Sequence, residues 1–419
     1  MQAQTLKDAL ANLNEQSSLI FEYMEGSPAA SSSEFYIDRP DNPTKELETY
    51  LINSPADDKI LFTGHLGCGK STELNKLASL PEIKKNFFVL KYSISETLNI
   101  IDIDYIDFLI SFAANLYTKA AEEKITFDKS ILDLIEGWIS YIKDDVPDLK
   151  VDGSSKKPTK VYRFFKQIST ILLRELTLRD NVRNSVKRNI TSLIDLINSI
   201  VTHIRANLPK GKELLVIIDD LEKIPDVKKA DELFIQAGSY MTTPQCKIIF
   251  TVPIALYYSL KFQQLSDTFG RTFPLPNIKV YEKKNPKVID PSGCMHAFFK
   301  KRINEKLFDN DALETAILNS GGVAREFVRI LKSSCTKALA QDRYTVTKDI
   351  VDAVIINLRN EFSRGLEKRH MEVLKAYLNH KDTDDDKTKM ELFHSKVLLE
   401  YLNGSKWVEI NPIVKPLVK

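Results

Sequence analysis

The sequence predicts an α/β fold built on a parallel sheet, and three observations carry that expectation. A short apolar run, Ile60-Leu61-Phe62-Thr63, enters a glycine-rich loop, Gly64-His65-Leu66-Gly67-Cys68-Gly69-Lys70-Ser71-Thr72, and a helical pattern follows from Ser71 to Leu80. A second continuous apolar run, Leu214 to Ile218, ends on Asp219-Asp220 and suits a strand covered on both faces. Between these lies a helical stretch of about 110 residues, longer than a routine crossover.

Taken in order, Leu6, Leu10, Leu13, Ile20 and Tyr23 predict an amphipathic helix over about residues 4 to 25, and Gly26 to Ser33 a linker. Phe87 to Ile94 is a second strand. Helical spacing recurs in Ile106–Tyr117 and Ile131–Ile142. Lys143 to Lys160, rich in Lys, Asp, Pro, Gly and Ser, reads as a loop, and Val182 to Ala206 as one long helix. Cys246 to Val252 is a further strand and Thr272 to Val280 a weaker one. Residues 293–340 and 346–365 are helical. In the last ~50 residues Val397, Leu398, Tyr401 and Leu402 share a helix, before a strand at Trp407 to Ile410.

A chain of 419 residues needs two or three packed units. Its 43% hydrophobic and 28% charged content argues against wholesale disorder. Lys plus Arg (59) nearly balances Asp plus Glu (57), so no global charge draws it to nucleic acid or to a membrane. Cys68, Cys246, Cys294 and Cys335 are too dispersed for a metal pair and read as free thiols. Without an apolar leader or a run of about 18 apolar residues, a cytoplasmic location and no membrane partner are expected.

The glycine loop, set between a strand and a helix, has the form of a phosphate-binding loop. Its backbone amides and the helix N-terminus attract the anion, while Gly64, Gly67 and Gly69 admit close backbone approach. In that frame Lys70 reaches the β- and γ-phosphates, Ser71 offers a hydroxyl to Mg²⁺, and Cys68 and Thr72 complete the nucleotide-binding set. Asp219, at a buried strand tip, is the candidate to hold Mg²⁺, and Asp220 the candidate to polarise attacking water, with Glu222 its rival. The loop is thus expected to bind ATP with Mg²⁺. No guanine-reading Asn-Lys-x-Asp motif is present, so adenine is the default base.

Phosphate loop, helical excursion, Ile218-Asp219-Asp220, Ile248-Ile249-Phe250-Thr251 and Gly321-Gly322-Val323-Ala324-Arg325 together resemble the AAA+ and STAND ATPases, nearest the origin-recognition and NLR-like branch. The resemblance implies an N-terminal helix and linker (1–35) and an ATPase core (36–285, with the insertion at about 100–205). It further implies a helical lid (286–365) and a winged-helix-like domain (366–419). Thr251 then falls at the sensor 1 position and Arg325 at sensor 2; the plain readings are a β-branched strand residue and a surface arginine. Tyr36 to Pro40, with Arg39, and Glu46 look like the segment that contacts adenine and ribose. Arg271 stands where relatives often place an arginine finger, or is a loop arginine paired with an acidic neighbour. The Asp219-Asp220 pair, where motors carry Asp-Glu, implies slow turnover and a switch.

The expected function is a regulatory switch ATPase controlling self-assembly as a homo-oligomer and engagement of a separate effector or partner protein. The resemblance suggests a setting in prokaryotic defence against phage. Two alternatives stand beside it. One is a DNA-binding ATPase of the loader or transposition type, using Lys279 to Lys306 and the tail, although Asp382 to Asp386 would repel phosphates. The other is an interaction scaffold that nucleotide merely stabilises. The helical excursion is either a recognition surface or a cap that enlarges the core.

Overall fold

The computed structural model describes residues 2–13, 18–19, 34–149, 157–283, 285–379, 381, 383, 385–403 and 405–418. Five apolar segments pair side by side: β1 (Lys59–Gly64), β2 (Phe87–Ser93), β3 (Glu213–Asp219), β4 (Lys247–Pro253) and β5 (Thr272–Pro274). All pairings are parallel and the order is β2-β3-β4-β1-β5. Since the strands run one way, the glycine loop after β1 and the acids after β3 emerge at the same edge. Register puts Ser93 beside Asp219 there. The predicted parallel α/β core is therefore the observed one.

Side chains alternate along each strand, and both faces are covered. Leu90, Val216, Ile218, Ile248 and Phe250 pack with Phe108, Phe112, Leu196 and Ile200 of the helical excursion in one continuous core. Ile60, Phe62, Leu215, Ile217 and Ile249 pack on the other side with Leu47, Leu51, Leu74 and Leu77. The excursion comprises helices Tyr105–Glu122, Lys129–Asp145, Lys157–Arg174, Leu176–Arg188 and Ile190–Ala206. The single helix expected over Val182–Ala206 is thus interrupted at Asn189, whose φ −141° and ψ 52° are not helical. The expected loop at Lys143–Lys160 is narrower than its composition suggested, since helices reach Asp145 and resume at Lys157; residues 150–156 lie outside the described residues.

Other boundaries also moved. The first helix, Leu6–Asn12, ends where Leu13 leaves helical angles, and residues 18–19 are not helical. Ile20, Tyr23 and the Gly26–Ser33 linker fall outside the described residues. Leu6, Ala9 and Leu13 share a core with Phe299, Phe327, Leu331 and Ile350 of the helices that follow the sheet. Those helices are Cys294–Arg302, Asn310–Asn319, Ala324–Leu339 and Lys348–Arg364, preceded by an unanticipated antiparallel pair, β6 (Tyr281–Glu282) and β7 (Asn285–Ile289). The strand expected to reach Val280 stops at Pro274, because Pro274 and Pro276 have no N–H to extend a ladder.

The chain finishes with helices Lys368–Leu378 and Asp386–His394 and a hairpin of β8 (Leu398–Asn403) and β9 (Ser405–Ile410), a winged-helix-like arrangement. Leu398, Leu402 and their neighbours are therefore strand, not helix. Leu398, Leu399, Glu400 and Tyr401 are all buried, and a run buried on both faces has no periodicity to separate strand from helix. Of the expected acidic loop, Asp382 and Asp384 lie outside the described residues.

Candidate nucleotide and cation site

The glycine loop turns at the carboxyl end of β1 and delivers Lys70 as the first residue of helix Lys70–Ser79. Gly67 has φ +85°, and a Cβ there would lie 2.5 Å from Arg325 Cβ, so only glycine lets the lid backbone approach. The Arg325 N–H donates to Gly67 O at 3.1 Å, closing the lid helix on the loop. Lys70 is buried, and its Nζ donates to Gly64 O (2.9 Å) and His65 O (3.0 Å) and pairs with Glu222 at 3.2 Å. Burial opposes its charge, but the Glu222 carboxylate outweighs that and holds its pKa above the ordinary lysine value.

Across the cleft, β3 ends on Asp219, and Asp220 turns the chain with φ +72°. Asp220 accepts from Ser93 Oγ (2.6 Å) and Ser95 Oγ (2.9 Å) and pairs with Lys223 at 2.7 Å. Burial would raise its pKa; Lys223 and the two hydroxyls reverse the sign and leave it lowered. Asp219 accepts from Lys91 Nζ at 3.1 Å, and its pKa is raised by burial and then by the neighbouring Glu222 charge. The turn Leu221–Lys223 folds Glu222 back under the strand tip, so ligand oxygens of Asp219, Asp220 and Glu222 lie within 4.8 Å of one another. Glu222 Oε2 is buried with no hydrogen-bond partner. Three converging carboxylates and one orphaned oxygen fit a hard divalent cation.

These groups line a cleft of about 1040 Å³, large enough for a nucleoside triphosphate. Gly67, Cys68, Gly69, Lys70, Ser71, Thr72, Lys91, Ser93, Asp219, Asp220, Glu222 and Arg325 all line it. Ala11, Phe35, Phe298, Arg302 and Val328 add apolar and aromatic surface to its lining. Arg302 is buried there, its guanidinium 3.5 Å from the Phe298 ring centroid and 5.0 Å from that of Phe35. A phosphate loop on a parallel sheet, opposed by an acidic strand tip and covered by a helical lid, decides the architecture. This is a parallel α/β fold carrying a P-loop.

Several residues of the core sit elsewhere than the motifs suggest. Thr251 does not line the cleft: its Oγ1 accepts from Leu221 N at 3.1 Å and donates to Ile218 O at 3.4 Å, bracing the turn that carries Glu222. Arg39 lines the cleft, yet its guanidinium donates to Cys68 O at 2.7 Å and to Pro276 O, clamping the loop from behind. Tyr36 binds Glu73 on the loop helix and Asp38 pairs with Lys76. Arg271 pairs with Glu46 and lies over Tyr50 and Phe273, the structural alternative for that loop arginine. Lys91, Ser93 and Ser95 went unread, although alternating polar residues at a strand's carboxyl end were the available signal. His65, which the sequence shows only as a variable position of the loop, is fully buried and its Nε2 accepts from Glu400 N.

No family model and no curated protein matches the sequence. Solved structures with a similar course of elements include Cdc6p from Pyrobaculum aerophilum (13% identity, TM-score 0.38, 92% of this chain and 95% of that one). Another is the Aeropyrum pernix Orc1 protein in complex with DNA (11%, 0.40, 91% and 92%). A third is the Thermotoga maritima RuvB Holliday junction branch migration motor (13%, 0.33, 87% and 91%). No described helix is long and apolar enough to cross a membrane.

Proposed function

We propose that this chain is an ATP-binding, slowly hydrolysing regulatory switch, whose nucleotide state governs self-assembly and engagement of a separate protein partner. One observation carries the reading: Lys70 and the Asp219, Asp220 and Glu222 carboxylates face the same cleft, under a lid that touches the loop backbone. Lys70 is satisfied by Glu222 and by loop carbonyls. Arriving phosphates accept the Lys70 ammonium in place of Glu222, which frees that carboxylate beside the phosphate end. Glu222 then orients the attacking water, the role the sequence reading gave first to Asp220; Asp220, held by Ser93, Ser95 and Lys223, keeps the turn in place. Ser71 and Asp219 would hold Mg²⁺, which would supply neutralisation of developing phosphate charge. Arg325 comes from the lid helix to the same end, so the lid meets the nucleotide directly.

Calorimetric titration of ATP, ADP and GTP into the full chain and Lys70→Ala tests the binding. Micromolar ATP binding lost in the variant supports it, and equal heats in both would sink it. Light scattering behind size exclusion, with ADP against a non-hydrolysable ATP analogue, tests the assembly. A mass that rises only with the analogue supports it, and one mass in every state removes it.

A further inference from the structure

The cation cluster comes with three lysines of its own. Glu222 pairs with Lys70 at 3.2 Å, Asp220 with Lys223 at 2.7 Å, and Asp219 with Lys91 at 3.1 Å. Each carboxylate therefore has one ammonium, and the cluster is neutralised from within. The three pairs are not equivalent. Lys223 is three residues from Asp220, on the same turn, and its side chain is 36% exposed. Lys70 belongs to the phosphate loop. Lys91 comes from β2, where its position two residues before Ser93 points it at the tip of β3. Its side chain is 21% exposed against 4% for Asp219, and it stands on the cleft wall.

A divalent cation can take Asp219 only if this ammonium leaves, because both would neutralise the same carboxylate. The ammonium leaves more readily when another anion receives it, since a partly buried charge stripped of its partner is costly. The anion that enters this cleft is a polyphosphate, a step that rests on the function proposed above. We propose that Lys91 is a resident counter-ion of Asp219 that nucleotide phosphates draw off, so that the divalent-cation site opens once nucleotide is in place. Lys91 is in this scheme a ligand-binding residue: it competes with the cation for Asp219 and becomes a phosphate contact once nucleotide is bound. The device favours nucleotide arrival before cation binding, because free divalent cations must compete with Lys91 for Asp219.

Two binding measurements on the full chain test it, neither of them an activity. Mn²⁺ binding to nucleotide-free protein is followed by electron paramagnetic resonance, comparing wild type with Lys91→Gln, Lys91→Arg and Asp219→Asn. Removing one positive charge from contact with the cluster tightens Mn²⁺ in Lys91→Gln by about tenfold. Lys91→Arg stays near wild type, and Asp219→Asn weakens binding in every background. Calorimetric titration of ADP in EDTA is the second measurement, and there Lys91→Gln binds about tenfold more weakly than wild type, because a phosphate partner is gone. Unchanged Mn²⁺ affinity in Lys91→Gln overturns the counter-ion role, and unchanged cation-free ADP affinity overturns the transfer to phosphate. Lys91→Met, which keeps the apolar stem, is read in the same way should Lys91→Gln not fold. If wild type binds no ADP at all, the proposed function fails, while the nucleotide-free Mn²⁺ comparison still decides the counter-ion role.

Discussion

The Glu400 N–H donates to Nε2 of His65 at 3.0 Å, so the first variable residue of the phosphate loop is fastened to a hairpin more than 300 residues later in the chain. His65 is fully buried, and its ring lies 6.2 Å from that of Phe393, which stacks on Tyr258 at 3.8 Å. The Tyr258 hydroxyl donates in turn to the Glu400 carboxylate. Lys396 pairs with Glu326 beside the same contact, tying the C-terminal module to the lid helix.

That contact makes stability acid-sensitive. Burial, and then the charges of Lys70 and Lys396, push the His65 pKa from 6.5 down to about 3. Between those values the unfolded chain takes up a proton that the folded one refuses. The stability is complete above pH 6.5 and is lost as pH falls toward 3, by at most about 1.4 kcal/mol per pH unit. His394, also held low by burial, adds in the same direction, so the measurement is a difference. Urea unfolding of wild type and His65→Leu at pH 7 and pH 5.5 should show a gap of about 1–3 kcal/mol at pH 7, from the unsatisfied Glu400 N–H, narrowing at the lower pH.

Glu222→Gln should lower ATP turnover by about 100-fold or more while leaving ADP affinity within a few-fold. Asp220→Asn should cost less than about tenfold, because its carboxylate is committed to Ser93, Ser95 and Lys223. Single-turnover phosphate release reads both; the opposite ranking would return the water-orienting role to Asp220.

Gly322 has φ +71°, and a Cβ there would lie 1.7 Å from the Ile278 carbonyl oxygen, a rigid backbone atom. Gly321, at φ +57°, would meet the end of the Leu399 side chain at 2.4 Å, which can rotate away. Gly322→Ala should therefore destabilise by about 3 kcal/mol or more, and by at least about 1 kcal/mol more than Gly321→Ala. Denaturant midpoints at equal m-values give the comparison.

Arg271→Ala should cost no more than about 1 kcal/mol in stability, as expected for a surface pair with Glu46. Turnover should also be unchanged across a tenfold range of protein concentration. A loss of turnover that grows with concentration would show Arg271 acting on a neighbouring copy.

What the sequence disclosed follows from how local each signal is. Ile60 to Thr72 declares a strand, a phosphate loop and a helix within thirteen residues, and Leu214 to Asp219 declares a buried strand with an acidic tip. Both depend on adjacent residues and on chemistry that short spacing encodes. Glu222 was harder to rank, because its place under the strand tip depends on a turn with a positive φ at Asp220 and on Thr251 holding Leu221. Lys91 and His65 owe their roles to partners more than a hundred residues away, which no window on the sequence contains. Val397 to Leu402 was misread for a physical reason: burial on both faces erases the alternation that marks a strand.

The shared core of sheet and helical excursion has a mechanical consequence. Helix Tyr105–Glu122 follows β2 through two short turns, and helix Ile190–Ala206 precedes β3 by a six-residue connection. Phe108, Phe112, Leu196 and Ile200 interlock with the strands themselves, with no soft layer between them. A load applied to these helices would travel along β2 and β3 as along two stiff rods, whose far ends are Ser93 and Asp219. Anything that grips the excursion from outside thus has a short, rigid lever on the spacing of the groups around the phosphates.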